Sequence, residues 1–222
     1  MFQYLLFDLD GTLTDPKIGI TKSVQYALED QGIYEPDLDK LEPFIGPPLK
    51  DSFEEFYHMN EKQVLRAIQK YHERFDTTGI YENALFVGVP ELLSDEKKKG
   101  AKIAIASSKP TELVLRILDY FHIADYFDVV VGSEMDGRRS KKEEVVEEAL
   151  RQLLPAEEIA DKKKKIAMIG DRKFDIEGAI AHGLTGIGVT FGYAEEGELE
   201  KAGADYIVDT VDELKELLQK GE

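Results

Sequence analysis

The sequence predicts an α/β fold: a parallel sheet flanked by helices, with a purely helical segment inserted near its start. Three observations predict it. From Asn83 onward, short apolar runs alternate with segments of helical period, the signature of strands joined by right-handed crossovers. The first run, Tyr4-Leu5-Leu6-Phe7, is unbroken and apolar, as suits a strand buried on both faces. From residue 14 to 82 every periodic stretch has helical spacing, with no strand between. The reading is a core domain of residues 1–13 and 83–222 and a helical domain of residues 14–82.

The elements follow in order. Ile20, Val24, Ala27 and Leu28 share one helix face over residues 21–31, and Gly32 fits its stop. Residues 37–44 read as a short helix, closed by the stiff loop Ile45-Gly46-Pro47-Pro48. Leu49, Phe53, Phe56 and Tyr57 form the apolar face of the next helix. Asn60 and Gln63 have capping-box spacing before a helix carrying Val64, Ile68, Tyr71 and Phe75. Val89-Pro90 opens a helix ending at Gly100. Residues 102–106 are a strand that stops at Ser107-Ser108-Lys109-Pro110, followed by a helix with Leu113, Ile117, Leu118 and Phe121. Residues 129–132 are a strand and 143–154 a helix. Residues 166–169 are a strand stopping at Gly170-Asp171, and 174–182 a helix stopped by Gly183. Residues 185–189 and 206–208 are the last strands, and 211–218 the last helix.

Composition limits the function. The 222 residues are 42% hydrophobic, enough for a sizeable core. A net charge of −17 argues against nucleic-acid polymers and anionic membranes as partners, which reward clustered Lys and Arg. The lysine runs at 97–99 and 162–165 read as solvated helix ends or loops. Without cysteine there is no disulfide, thiol nucleophile or thiolate metal site. No apolar run reaches 18 residues, and the N-terminus carries acids where a signal peptide needs an apolar stretch. The expectation is a cytoplasmic protein, monomer or homodimer.

Three strand ends carry candidate chemistry. The first ends in Asp8 and Asp10, which face one side if the strand persists. The second ends in Ser107 and the third in Asp171. If these strands are neighbours, three carboxylates and a hydroxyl share one crevice at the carboxyl ends of the sheet. Three clustered carboxylates demand a cation, and an all-oxygen donor set selects a hard one such as Mg²⁺. Gly11 lets the backbone approach a ligand closely. Asp175, one turn beyond Asp171, can brace the metal site. Lys141 or Lys142, at a helix start, can balance an anionic substrate.

Together these motifs resemble the haloacid dehalogenase superfamily of phosphatases, along the whole chain. Asp8-Leu9-Asp10-Gly11-Thr12 is similar to the family's first motif, and Ser107 to its second. Lys142 or Lys141 stands for the third, with spacing favouring Lys142, although the family's usual Lys-Pro is missing. Gly170-Asp171-Arg172-Lys173-Phe174-Asp175 is similar to the fourth. The insert after the first motif, the loop at 45–49 and the segment 188–205 resemble the phosphoglycolate phosphatase group.

The resemblance implies a Rossmann-like core, a helical cap, and Mg²⁺-dependent hydrolysis of a small phosphorylated metabolite. Asp8 would be the nucleophile and form an aspartyl phosphate. Asp10 would be the general acid and base. Mg²⁺ would be held by the Asp8 carboxylate, the Asp10 backbone carbonyl and Asp171. Gly11, Ser107, Ser108 and Lys142 would hold the phosphoryl oxygens. A 5'-nucleotidase, a sugar-phosphate phosphatase and a phosphomutase share these residues. A metal-free dehalogenase would leave Asp10 and Asp171 idle. A response-regulator-like phosphoacceptor needs no cap, and a non-catalytic binder needs no intact acidic set.

Overall fold

The computed structural model describes residues 2–220. The chain forms two compact units, residues 15–84 and residues 1–14 with 85–222.

The smaller unit is helical. It holds α1 (Lys17–Asp30), a 3₁₀ helix (Leu38–Phe44), α2 (Leu49–Tyr57) and α3 (Glu61–Phe75). Ile20, Val24, Ala27 and Leu28 of α1 are buried, as are Val64, Ala67, Tyr71 and Phe75 of α3. Those faces follow the 3.6-residue period. The capping box opens α3: the Gln63 N–H donates to Asn60 Oδ1 and the Asn60 N–H to Gln63 Oε1, both at 3.1 Å. Residues 38–44 wind as 3₁₀ rather than α, with Pro43 inside, because proline removes a donor and crowds the preceding turn. On α2, Phe53 is buried while Phe56 is exposed. Two-residue strands β2 (Thr14–Asp15) and β3 (Ala84–Leu85), too short for a periodic signal, lie where the chain passes between the units.

In the larger unit, β1 (Tyr4–Phe7) leads the sheet. After α4 (Val89–Lys98) come β4 (Lys102–Pro110), α5 (Thr111–Tyr120), β5 (Val129–Ser133), α6 (Lys142–Leu153) and α7 (Ala156–Lys162). Then follow β6 (Ile166–Gly170), α8 (Lys173–His182), β7 (Thr185–Val189), α9 (Glu198–Ala202), β8 (Tyr206–Val208) and α10 (Val211–Lys220). The short helices α7 and α9 fall in stretches without helical period in the sequence. The six-stranded sheet is parallel throughout, in the order β5-β4-β1-β6-β7-β8.

The apolar run places β1 at the centre. Leu5, Leu6 and Phe7 are fully buried, and each such side chain contributes roughly 1.5–3 kcal/mol by leaving water. On one face Leu6, Ala104 and Met168 join the cluster containing Val145, Val146, Ala149 and Leu150 of α6. The register pairs Phe7 with Ile105 of β4 and Ile169 of β6. Phe7, Ile105 and Ile169 are therefore level, so Asp8, Ser107 and Asp171 come within two residues of one line across the sheet, and strand order reverses around β1, the place where open α/β sheets form ligand crevices. β4 does not stop at Ser107. Its pairing with β5 resumes at Pro110, opposite Ser133, after an irregularity beyond Ala106. Polar side chains do not end a ladder when the backbone can still pair.

Candidate active site

The site grows from the three strand ends. Asp8 directly follows β1, and its N–H donates to the Ile169 carbonyl at 2.9 Å, fixing it beside β6. Asp171 directly follows β6 and is completely buried. The Thr12 hydroxyl donates to Asp171 Oδ1 at 3.2 Å and the Tyr193 N–H to Oδ2 at 2.8 Å. Asp175 sits in the first turn of α8, where its Oδ2 accepts the Arg172 N–H at 3.0 Å.

Lys142 begins α6. Its ammonium lies 2.8 Å from Asp8 Oδ1 and 2.8 Å from Asp175 Oδ1, and donates to the Ala106 carbonyl at 3.0 Å. Lys141, one residue earlier, is exposed. Ser107 is buried and its Oγ accepts the Lys109 N–H at 3.3 Å, while Ser108 is half-buried. Gly11 has φ +83°, and a Cβ there would stand 2.1 Å from Asp171 Oδ2. Glycine thus gives both the left-handed turn and the clearance for Asp171. The Gly11 N–H donates to the Thr14 carbonyl at 2.7 Å, so it is committed within the turn.

The electrostatics call for a cation. Oxygens of Asp8, Asp171 and Asp175 lie within 4.8 Å of one another. Burial, then the charges of Asp175 and Asp8, push the Asp171 carboxyl well above its ordinary range. Burial raises Asp175 to about 6, with Asp8 adding to the rise and Lys142 opposing it. For Lys142, burial disfavours the charge, but Asp175 and Asp8 outweigh it and keep the ammonium above its ordinary value. Asp10 is ion-paired through Oδ2 to the Lys109 ammonium. The three clustered carboxyl groups outnumber the one ammonium, Lys142, that touches two of them. That excess of acidic groups and the all-oxygen donors fit one hard divalent ion.

The structure therefore gathers Asp8, Asp10, Gly11, Ser107, Lys142, Asp171 and Asp175 at one edge of the sheet. Asp175 belongs to the tight carboxylate group, yet both its oxygens are engaged by the protein, one by Lys142 and one by the Arg172 N–H. Sequence reasoning assigned no role to Lys109. Alternation along a strand prolonged past Ser107 would have put it on the same side.

Comparison with known proteins agrees with this geometry. Residues 5–189 match the family model for haloacid dehalogenase-like hydrolase. A relative named 5'-nucleotidase, from Pseudomonas aeruginosa, is 43% identical over 97% of this chain and 95% of its own length. Tyrosine-protein kinase PtkA of Mycobacterium tuberculosis is 35% identical over 97% of this chain and 72% of its own length. A crystal structure described as a predicted phosphatase from Clostridium acetobutylicum superposes with a TM-score of 0.92 at 43% identity, covering 99% of both chains. With the motifs placed as above, the chain belongs to the haloacid dehalogenase-like hydrolases and is a phosphatase of that family.

Proposed function

We propose that this phosphatase hydrolyses a small-molecule phosphate monoester in two steps through an aspartyl phosphate on Asp8, with Mg²⁺ as the resident cation. The observation that carries the reading is the buried cluster of Asp8, Asp171 and Asp175 carboxyl groups, with Lys142 as the ammonium that touches Asp8 and Asp175. In the first step an Asp8 oxygen bonds to phosphorus as the ester P–O bond breaks, and Asp10 gives its proton to the leaving oxygen. In the second step water bonds to phosphorus, the Asp8–phosphorus bond breaks, and Asp10 takes the proton from the water.

The ion would be held by the Asp8 carboxylate, the Asp10 backbone carbonyl and Asp171. When bound it would offset repulsion between Asp8 and a phosphate dianion. Lys142, Ser107 and Ser108 hold phosphoryl oxygens, and Asp175 keeps Lys142 in place.

The test is hydrolysis of p-nitrophenyl phosphate and an alkyl phosphate with and without chelator. Activity should require Mg²⁺, Ca²⁺ should inhibit, and Asp8→Asn should be folded and inactive. Asp10→Asn should release a burst of nitrophenolate near one equivalent, then turn over slowly. Full activity in metal-free buffer would remove the cation from the reading.

For the substrate, similarity to a protein named 5'-nucleotidase favours a nucleoside monophosphate over phosphoglycolate. Ranking kcat/KM across nucleoside monophosphates, phosphoglycolate and sugar phosphates decides between them. A preference for phosphoglycolate would reject the nucleotide reading.

A further inference from the structure

The two oxygens of Asp10 have different surroundings. Oδ2 is ion-paired to the Lys109 ammonium. Oδ1 is buried and, among the described residues, has no hydrogen-bond partner. A buried carboxylate oxygen without a donor costs free energy, and a catalytic role is one reason for a fold to bear that cost. Both side chains are almost closed to solvent, at 8% exposure for Lys109 and 10% for Asp10, so water is a poor substitute partner for either.

The position of Lys109 is built by its strand. β4 departs from regular pairing with β5 between Ala106 and Pro110, and such irregularities re-aim side chains near active sites. The Lys109 N–H is tied to Ser107 Oγ at 3.3 Å. Behind it, Gly132 of β5 approaches so closely that a Cβ there would meet the Lys109 carbonyl at 2.2 Å. The Gly132 N–H donates to Thr111 Oγ1 at 3.0 Å, pinning the start of α5 to the same place. The lysine stem thus leaves a fixed backbone and ends on Asp10.

We propose that Lys109 is the positioning residue for the proton-transfer carboxyl: it holds Oδ2 of Asp10 so that Oδ1 faces the leaving oxygen. The inference rests on the phosphatase reading given above. The hydrogen bond from the Lys109 Nζ ammonium to Oδ2 persists through both steps. In the first step Oδ1–H loses its proton to the oxygen whose bond to phosphorus breaks. In the second, Oδ1 accepts a proton from the attacking water as the Asp8–phosphorus bond breaks. Lys109 neither gives nor takes a proton.

The test uses Lys109→Met and Lys109→Arg with saturating Mg²⁺. With an alkyl phosphate, whose leaving oxygen needs a proton, Lys109→Met should lower kcat by roughly 10–10²-fold, part of the 10²–10⁴ that acid catalysis supplies. KM should change less than about threefold, a limit set by how little a residue outside substrate contact alters binding. With p-nitrophenyl phosphate the first step should stay within about threefold of wild type, because the leaving group departs without a proton. The second step still depends on Oδ1, so a nitrophenolate burst larger than that of wild type should precede slow turnover. Lys109→Arg keeps a donor to Oδ2 and should recover at least half of the lost factor on a logarithmic scale.

Equal slowing of both esters without a burst would overturn the proposal, as would a rise in KM with kcat intact, which would make Lys109 a substrate ligand. Wild-type rates for Lys109→Met on both esters would also overturn it. If the Met variant does not fold, Lys109→Gln is judged by the same criteria. A wild-type protein that hydrolyses neither these esters nor any other phosphate monoester would instead reject the phosphatase reading, before any Lys109 variant is made.

Discussion

Replacing Lys142 with Met withdraws an ammonium that touches two carboxylates in the protein interior while leaving most of its apolar stem. Each contact, at 2.8 Å to Asp8 and Asp175, amounts to roughly 6 kcal/mol at an effective dielectric of about 20, before the cost of taking the ions from water. Desolvation consumes several kcal/mol per ion, and deleting one partner of a buried pair leaves a net loss of about 3–5 kcal/mol. We expect about 4 kcal/mol at pH 7.5 in the presence of a chelator.

The sign of the pH dependence follows from Asp175. Its carboxyl is raised to about 6 by burial and by Asp8, with Lys142 holding it down. A raised carboxyl favours the fold in its protonated form, and ionising it costs stability as pH climbs through 6. Without Lys142 that cost grows at pH 7.5 and fades as pH falls and the carboxyls gain protons. The penalty should therefore shrink to about 2 kcal/mol or less at pH 5. Urea unfolding followed by circular dichroism at the two pH values measures it, as a midpoint shift of roughly 1–2 M at pH 7.5. Added Mg²⁺ should restore part of the loss. A penalty under about 1 kcal/mol at pH 7.5, or an equal penalty at both pH values, would refute the charge balance assigned to this site.

Three further outcomes are expected. Gly11→Ala forces a Cβ to 2.1 Å from Asp171 Oδ2 at φ +83°, so kcat/KM should fall by about 10²-fold or more, and a change under about threefold would mean that Asp171 needs no clearance. Asp128 is held down at about 2; burial opposes its charge, but Lys102, Lys97 and the Ile103 N–H outweigh it. Its contribution is complete above the unfolded value of about 4 and is lost as pH falls through 2, so Asp128→Asn should cost about 2 kcal/mol at pH 7 and almost nothing near pH 2 by urea titration. Asn60→Ala removes the cap of α3 and should cost about 1 kcal/mol while kcat on p-nitrophenyl phosphate holds.

The sequence by itself determined the elements whose signals are local. An unbroken apolar run made β1 a central strand, because a strand buried on both faces has no polar side to alternate. Helical period and the Asn60–Gln63 box placed α3, since both arise within one helix. The Asp8-Leu9-Asp10-Gly11-Thr12 turn and Gly170-Asp171 announced the acidic site, because their chemistry is written in adjacent residues. Tertiary structure alone decided which long-range partners those groups meet. That β4 and β6 flank β1 depends on crossovers, and no local pattern records strand order. That Lys142 rather than Lys141 bridges Asp8 and Asp175 depends on where α6 begins against the sheet: Lys142 is its first residue, and Lys141 is the extended residue before it. That Lys109 reaches Asp10 depends on β4 continuing through an irregularity to pair again with β5 at Pro110 and Ser133. Such pairing is supplied by another strand's backbone, whose hydrogen bonds carry no trace in the side chains of β4.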